Sequence, residues 1–270
     1  MEVVCYNCVS KEHVFYYEEN SFTLVKCVSC GLLFVNNRPG DTEISQAHKQ
    51  GKHKGLQALE VTGEFDTNRR YDLVLNDLYK DGFGNIKTWL DVGCGHGEFI
   101  EAVTEYGDGK LNVVGSEPNV HKQDSARKRG LNVNYFDLET HDTKYDVISL
   151  LNVYSHLPDP PAFLLMLKNL LNPNGELILQ TGDTANLSAK MHYKPFSLPD
   201  HLSFVSEDIL VSILERIGFE IISIIKYRIV RTDFISIAKE MVKLFLPHYK
   251  SKLNLYFMQP TDMYIRARIV

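Results

Sequence analysis

The apolar residues of this chain fall into short, nearly continuous runs separated by longer amphipathic stretches. Runs at 86–92, 111–115, 133–138, 145–151 and 176–180 have the length of buried strands. The run Tyr145-Asp146-Val147-Ile148-Ser149-Leu150-Leu151 is nearly continuous in apolar residues, as a central parallel strand covered on both faces should be. Between the runs, helical spacing appears over 64–79, where Phe65, Tyr71, Val74, Leu75 and Leu78 share a face, and over 99–106, 120–129 and 163–171. Gly130 is placed to cap the third of these helices, and Asn172-Pro173-Asn174-Gly175 reads as a turn. A helix over 207–217 opens at Ser206 and Asp208 and stops at Gly218. Residues 219–230 then read as a sixth strand, 234–246 as a helix with a broad apolar face, and 264–270 as a seventh strand. Strands alternating with helices in this way predict an α/β fold with a mainly parallel sheet.

Residues 1–38 break that pattern. Cys5-x-x-Cys8 and Cys27-x-x-Cys30 flank two short aromatic, β-prone stretches, and Gly31 follows the second pair. Each pair has the spacing that puts two thiolates on one tetrahedral ion, and the gap between pairs suits one zinc ribbon. The expected metal is a structural Zn²⁺ held by Cys5, Cys8, Cys27 and Cys30, which leaves no open position for catalysis. The alternative is four reduced, unbound thiols. His13, between the pairs, reads as a surface residue. Residues 39–63 are polar, begin with Pro39-Gly40-Asp41 and read as a linker. Within them His48, Lys49, Lys52, His53 and Lys54 are either a solvated basic run or a contact for an anionic group on a substrate. The remaining 64–270 form the α/β domain.

The chemistry centres on Trp89-Leu90-Asp91-Val92-Gly93-Cys94-Gly95-His96-Gly97-Glu98-Phe99, a strand, a glycine turn and a helix start. Asp91 and Glu98 flank the turn. A pyrophosphate at this helix N-terminus would be repelled by both carboxylates, whereas a cationic ligand would not. Glu117 ends the next strand about twenty positions on, where an acid can accept both ribose hydroxyl protons.

With its G-x-G-x-G spacing and these carboxylates, the stretch resembles motif I of the class I S-adenosylmethionine-dependent methyltransferases. The resemblance extends over nearly the whole chain. It includes the N-terminal ribbon, which is similar to that of a group of sugar and small-molecule methyltransferases. It implies a Rossmann-like seven-stranded sheet of order 3-2-1-4-5-7-6, strand seven antiparallel, with helices on both faces. It also implies a cofactor site. Asp91, Gly93, Cys94 and Gly95 would hold the methionine portion, Glu117-Pro118 the ribose, Asp137 and Leu138 the adenine, and Asn152 and Val153 would lie alongside. Tyr71 and Arg70 would reach the methionine carboxylate; otherwise Tyr71 is core and Arg70 solvated.

The acceptor is expected at the loops 152–158 and 185–206. Asp200-His201-Leu202-Ser203-Phe204-Val205-Ser206 looks like the acceptor-pocket segment of the zinc-bearing group, and makes His201 the expected general base. A histidine has a pKa suited to removing a hydroxyl proton. The alternative for His201 is to anchor its loop. Tyr154 and His192 are the next catalytic candidates, while His156, in a His-Leu-x-Asp-Pro segment, reads as ordering its loop.

Composition narrows this little further. At 270 residues, with 44% hydrophobic and 23% charged residues, the chain is an ordinary globular protein, and a net charge of −5 argues against general nucleic-acid binding. No apolar run reaches membrane-spanning length, and Met1-Glu2-Val3-Val4-Cys5 lacks a signal-peptide start, so a reducing cytoplasm is expected. The expected function is methylation of a small polar, phosphorylated or nucleotide-linked sugar metabolite at a hydroxyl, with S-adenosylhomocysteine as product. A phenol O-methyltransferase of the ubiquinone-pathway type, an RNA methyltransferase and a non-catalytic cofactor-binding module remain alternatives.

Overall fold

The structure, a computed structural model, describes residues 4–51, 65–66, 70–228 and 259–270. Strands β1 (His13–Glu19), β2 (Phe22–Cys27) and β3 (Leu33–Val35) make an antiparallel ribbon. Helices α1 (Asp41–Gln50) and α2 (Tyr71–Leu78) follow. The α/β unit then runs β4 (Thr88–Val92), α3 (Glu98–Tyr106), β5 (Asn112–Ser116), α4 (Val120–Lys128), β6 (Val133–Asn134), β7 (Tyr145–Leu151), a 3-10 turn (Tyr154–His156), α5 (Pro160–Asn169) and β8 (Leu171–Gly182). It closes with β9 (Ser203–Phe204), α6 (Glu207–Arg216), β10 (Phe219–Tyr227) and β11 (Asp262–Ile269).

The large sheet has the order β6-β5-β4-β7-β8-β11-β10. Its first five strands are mutually parallel, and β11 runs antiparallel between β8 and β10. Counting its strands from β4 gives 3-2-1-4-5-7-6, the Rossmann-like methyltransferase order expected from the sequence. Alternation along each strand separates two cores. Trp89, Val147, Ile178 and Tyr264 face α2 and α3, where Tyr71, Val74, Phe99 and Val103 pack. Leu90, Ile148, Leu150, Leu177 and Ile265 face the other side, against Leu164 and Leu167 of α5 and Leu210 and Ile213 of α6.

Three local readings change. The turn at 172–175 lies within β8 as a bulge, with Asn174 at φ 61° and the register with β7 slipping between Tyr145↔Leu171 and Val147↔Glu176. Helix α6 begins after Ser206, but Ser206 makes no side-chain cap; Asp183 Oδ1 accepts the Glu207 N–H (3.1 Å) instead. The stretch 39–63, read as a linker, contains α1. Its first turn is set by Gly40, whose N–H donates to Glu43 Oε2 (3.2 Å), and Gly51 closes it in a left-handed conformation. The expected helix at 234–246 lies outside the described residues, as do 52–64 and 67–69.

The ribbon shares its core with the α/β unit. Leu24, Val25, Leu33, Phe34 and Val35 belong to the same apolar cluster as α5 and α6. Strand β9 joins the ribbon sheet through Leu33↔Phe204 and Phe34↔Ser203, and the Val35 N–H donates to the Leu202 carbonyl (2.9 Å). Residues 185–202, within the 185–206 loop expected at the acceptor, are wedged between the two: Ala185, Phe196, Leu198 and Leu202 are buried. Glu19 accepts the N–H groups of Phe196 and Leu198 (both 2.9 Å), and Asn20 Nδ2 donates to the Leu198 carbonyl (2.8 Å). The segment carrying Asp200 and His201 is thus clamped by the tip of the β1–β2 hairpin.

Candidate active site

A cleft of ≈ 680 Å³ lies at the C-terminal ends of the parallel strands, where α/β sheets bind ligands. Its floor is Val92 and Gly93 at the end of β4, and Ser116 with Glu117 at the end of β5. The Gly93 backbone is left-handed (φ 71°), and a Cβ there would meet Val153 Cγ2 at 2.3 Å. The glycine therefore lets the turn fold against the β7 loop and keeps the floor open. Glu117 is 4% exposed; its Oε2 accepts the Gly95 N–H and its Oε1 the Asn119 N–H, both at 2.9 Å. Two backbone donors hold this carboxylate rigid, and each oxygen keeps a lone pair for a further donor, as a ribose diol would supply. Pro118, Asp137, Leu138, Asn152 and Val153 complete this side of the wall. Asp137 is shaped by a local turn in which its Oδ1 accepts the Glu139 N–H (3.1 Å), and the Asn152 N–H is held by Gln180 Oε1 (2.7 Å).

Several expected cofactor residues lie behind this wall rather than on it. Asp91 is 2% exposed and accepts the Ser149 Oγ–H (2.6 Å), which in turn accepts from Trp89 Nε1 (2.9 Å). Burial, reinforced by the charges of Glu117 and Glu98, raises the Asp91 carboxyl to about 7 despite that bond. Cys94 is buried against Gly115, where an added Cβ would meet its Sγ at 2.5 Å. Gly95 contributes through its N–H to Glu117. Tyr71 packs edge-on against Phe99 (5.0 Å between ring centres) in the α2–α3 core and is not part of the cleft lining. Arg70 donates to the Arg228 carbonyl (2.6 Å).

The other end of the cleft gathers histidines. His48 of α1, His156 and His201 all line it, together with Asp200. His156 Nδ1 lies 2.8 Å from Asp200 Oδ1 and 2.9 Å from the Asp200 carbonyl, both acceptors, so Nδ1 carries a proton. Burial lowers the His156 pKa, but the Asp200 carboxylate outweighs it and the net direction is upward. His201 Nδ1 faces the Phe196 carbonyl (2.9 Å), which likewise sets a proton on Nδ1, and its ring is 4.8 Å from that of His156.

Two expected catalytic side chains are elsewhere. Tyr154 is fully buried beneath the site, its hydroxyl 3.4 Å from that of Tyr6, and Tyr6 also donates to Ser203 Oγ (3.0 Å). It seals the ribbon against the α/β unit and does not reach the cleft lining. His192 is 4% exposed among Tyr16, Phe196 and Phe204, and burial pushes its pKa down to about 4. It is a core residue of the clamped loop. Conversely, α1 supplies Ile44, Ser45, His48 and Lys49 to the cleft. The Gly40-to-Glu43 spacing was the available sign of a helix start there.

A sequence profile described as a methyltransferase domain matches residues 48–224. A ubiquinone biosynthesis O-methyltransferase of Actinobacillus pleuropneumoniae is 34% identical over 109 residues, 35% of this chain and 45% of that protein. The enzyme of the same name from Serratia proteamaculans is 30% identical over 131 residues, 45% of this chain and 54% of its own length. The chain thus spans about half the length of these curated relatives. Among solved structures, magnesium protoporphyrin IX methyltransferase of Synechocystis PCC 6803 with bound SAM superposes with a TM-score of 0.52 at 18% identity, over 87% of this chain and 100% of that one. That likeness shows the fold. The match over 48–224, on a sheet of the order described, means that the chain belongs to the methyltransferase-domain family and carries the class I methyltransferase fold.

Proposed function

We propose that this protein transfers a methyl group from S-adenosylmethionine to a hydroxyl of a small molecule, with His201 as general base. The observation that carries this reading is the division of one cleft into two ends. Glu117, Asp137 and Leu138 suit an adenosyl group, and three histidines surround the space beyond Asn152 and Val153. S-adenosylmethionine supplies an electrophilic methyl group on a sulfonium. The lining carries five carboxylates (Asp41, Glu117, Asp137, Glu139, Asp200) against two lysines (Lys49, Lys122), a field that suits a cationic cofactor. The same balance fits an uncharged alcohol or phenol better than the phosphorylated or nucleotide-linked sugar expected from the sequence. The curated relatives are O-methyltransferases by name, which agrees with a hydroxyl acceptor. His201, with Nδ1 on the Phe196 carbonyl, presents Nε2 as the proton acceptor. Asp91 lies beneath the turn and adds its negative charge there as it ionises, near pH 7 and above, and Cys94, Gly95 and Tyr71 shape the turn and its support.

The ribbon thiols are the proposed site of a structural zinc ion. The four sulfurs lie within 4.8 Å of one another, with Cys5–Cys30 and Cys8–Cys27 pairs at 3.5 Å. Tetrahedral Zn–S bonds of about 2.3 Å place sulfurs about 3.8 Å apart, so the set fits with small adjustments. The zinc would hold the ribbon that clamps the loop bearing His201. Among the described residues no helix is long and apolar enough to cross a membrane.

The test is a screen of alcohol and phenol acceptors with methyl-labelled cofactor, run beside His201→Asn. Removal of a general base lowers methyl transfer about 10²–10⁴-fold, with S-adenosylhomocysteine affinity nearly unchanged. Near-normal turnover by the variant would exclude His201 as the base.

A further inference from the structure

His48, His156 and Asp200 come from three separate segments: α1, the 3-10 turn after β7, and the loop clamped by the ribbon. Each offers one ligand atom, and these atoms lie within 4.8 Å of one another. The His48 and His156 rings meet nearly at right angles (88°), their centres 6.1 Å apart. All three residues line the cleft at its histidine end. From this convergence we infer that His48, His156 and Asp200 form a second metal site, for a first-row divalent cation, that faces the methyl acceptor.

The donor set selects the ion. Two imidazoles and one carboxylate suit Zn²⁺, Mn²⁺, Fe²⁺ or Co²⁺ rather than Mg²⁺ or Ca²⁺, which take mainly oxygen ligands. Ligand bonds of about 2.0–2.2 Å require donor atoms roughly 3.0–3.6 Å apart, so side-chain rotations of about 1 Å close the site. Three protein ligands leave at least one position open, unlike the four thiols of the ribbon. The open side faces the cleft, where the acceptor hydroxyl would lie. A cation there polarises the acceptor O–H and lowers its pKa. The acceptor oxygen then forms its bond to the methyl carbon as the sulfur–methyl bond breaks and its electron pair returns to sulfur. The released proton goes to His201 Nε2, whose ring is 4.8 Å from that of His156. His156 and Asp200 already lie side by side, Nδ1 2.8 Å from Oδ1, so metal binding would replace that hydrogen bond and release its proton, and α1 brings the third ligand.

The inference rests on the reading of this end as the acceptor side, and the test separates the two. Full-length protein with its ribbon zinc in place is titrated with Mn²⁺, which thiolates bind poorly, and bound Mn²⁺ is followed by electron paramagnetic resonance. The expected result is one Mn²⁺ site per chain, with affinity reduced at least about tenfold in both His48→Gln and Asp200→Asn. Asp200→Asn also alters the His156 contact, so His48→Gln on α1 is the independent check. No Mn²⁺ binding, or equal binding by wild type and both variants, overturns the site; S-adenosylhomocysteine titration of the same sample shows whether the cofactor end is intact. Failure of the acceptor reading has a different signature: Mn²⁺ binds as expected while the labelled-cofactor screen finds no acceptor.

Discussion

Asp91 is the residue whose replacement tests the electrostatics of the glycine turn most directly. Its carboxyl is 2% exposed, receives one hydrogen bond, from Ser149, and is raised from its ordinary 3.8 to about 7. A group held this way weakens the folded state wherever it must ionise. Below about pH 4 it is protonated folded or unfolded, and there is no penalty. Between about pH 4 and 7 the unfolded chain releases the proton first, so stability falls as pH rises; above about pH 7 the penalty is complete. At about 1.4 kcal/mol per pKa unit, the full penalty is about 4 kcal/mol. Asp91→Asn keeps an oxygen for the Ser149 hydroxyl but adds a buried N–H₂, whose unmet bonds cost about 1–3 kcal/mol. The variant should therefore be more stable than wild type by about 1–3 kcal/mol at pH 8 and no more stable, or less, at pH 4. Urea unfolding of both proteins from pH 4 to 8.5 measures this. A wild-type-to-variant difference that stays constant over that range would refute the raised pKa. Cofactor affinity should move the opposite way, because the ionised Asp91 is part of the negative field that favours a cationic ligand.

Two further outcomes follow from the geometry. Gly93→Ala places a methyl 2.3 Å from Val153 Cγ2 at a positive φ, so S-adenosylhomocysteine binding measured by calorimetry should fall at least about tenfold, with stability reduced by about 1–3 kcal/mol. Metal analysis should find about one zinc per chain tied to the ribbon thiols, and Cys8→Ser should lose it; because the β1–β2 hairpin holds Phe196 and Leu198, methyl transfer should suffer in that variant more than cofactor affinity.

What was legible in the sequence follows from how local each signal is. The parallel strands could be read because buried strands are apolar almost without interruption, as in 145–151, and the glycine turn and Glu117 fall at strand ends set by those runs, while the strand order came with the family resemblance. The placement of Glu117, Asp137, Asn152 and Val153 on one wall follows from the same logic, since each lies in the loop after a parallel strand. Side chains whose roles depend on packing between distant segments could not be read. Tyr154 and His192 stand in polar-looking loops, yet both are buried because the ribbon, far away in sequence, covers them through Tyr6 and Tyr16. Helix α1 was missed for a related reason: Ile44 is its one buried residue, so it has almost no apolar stripe to reveal it. Its other cleft-facing positions, among them His48 and Lys49, look like linker charges until the fold sets them opposite His156 and Asp200. The cofactor end is therefore built from the local grammar of the sheet, and the acceptor end from contacts among the ribbon, α1 and the clamped loop. It follows that changes in the ribbon or in α1 should alter which acceptor is used while leaving the adenosyl wall intact.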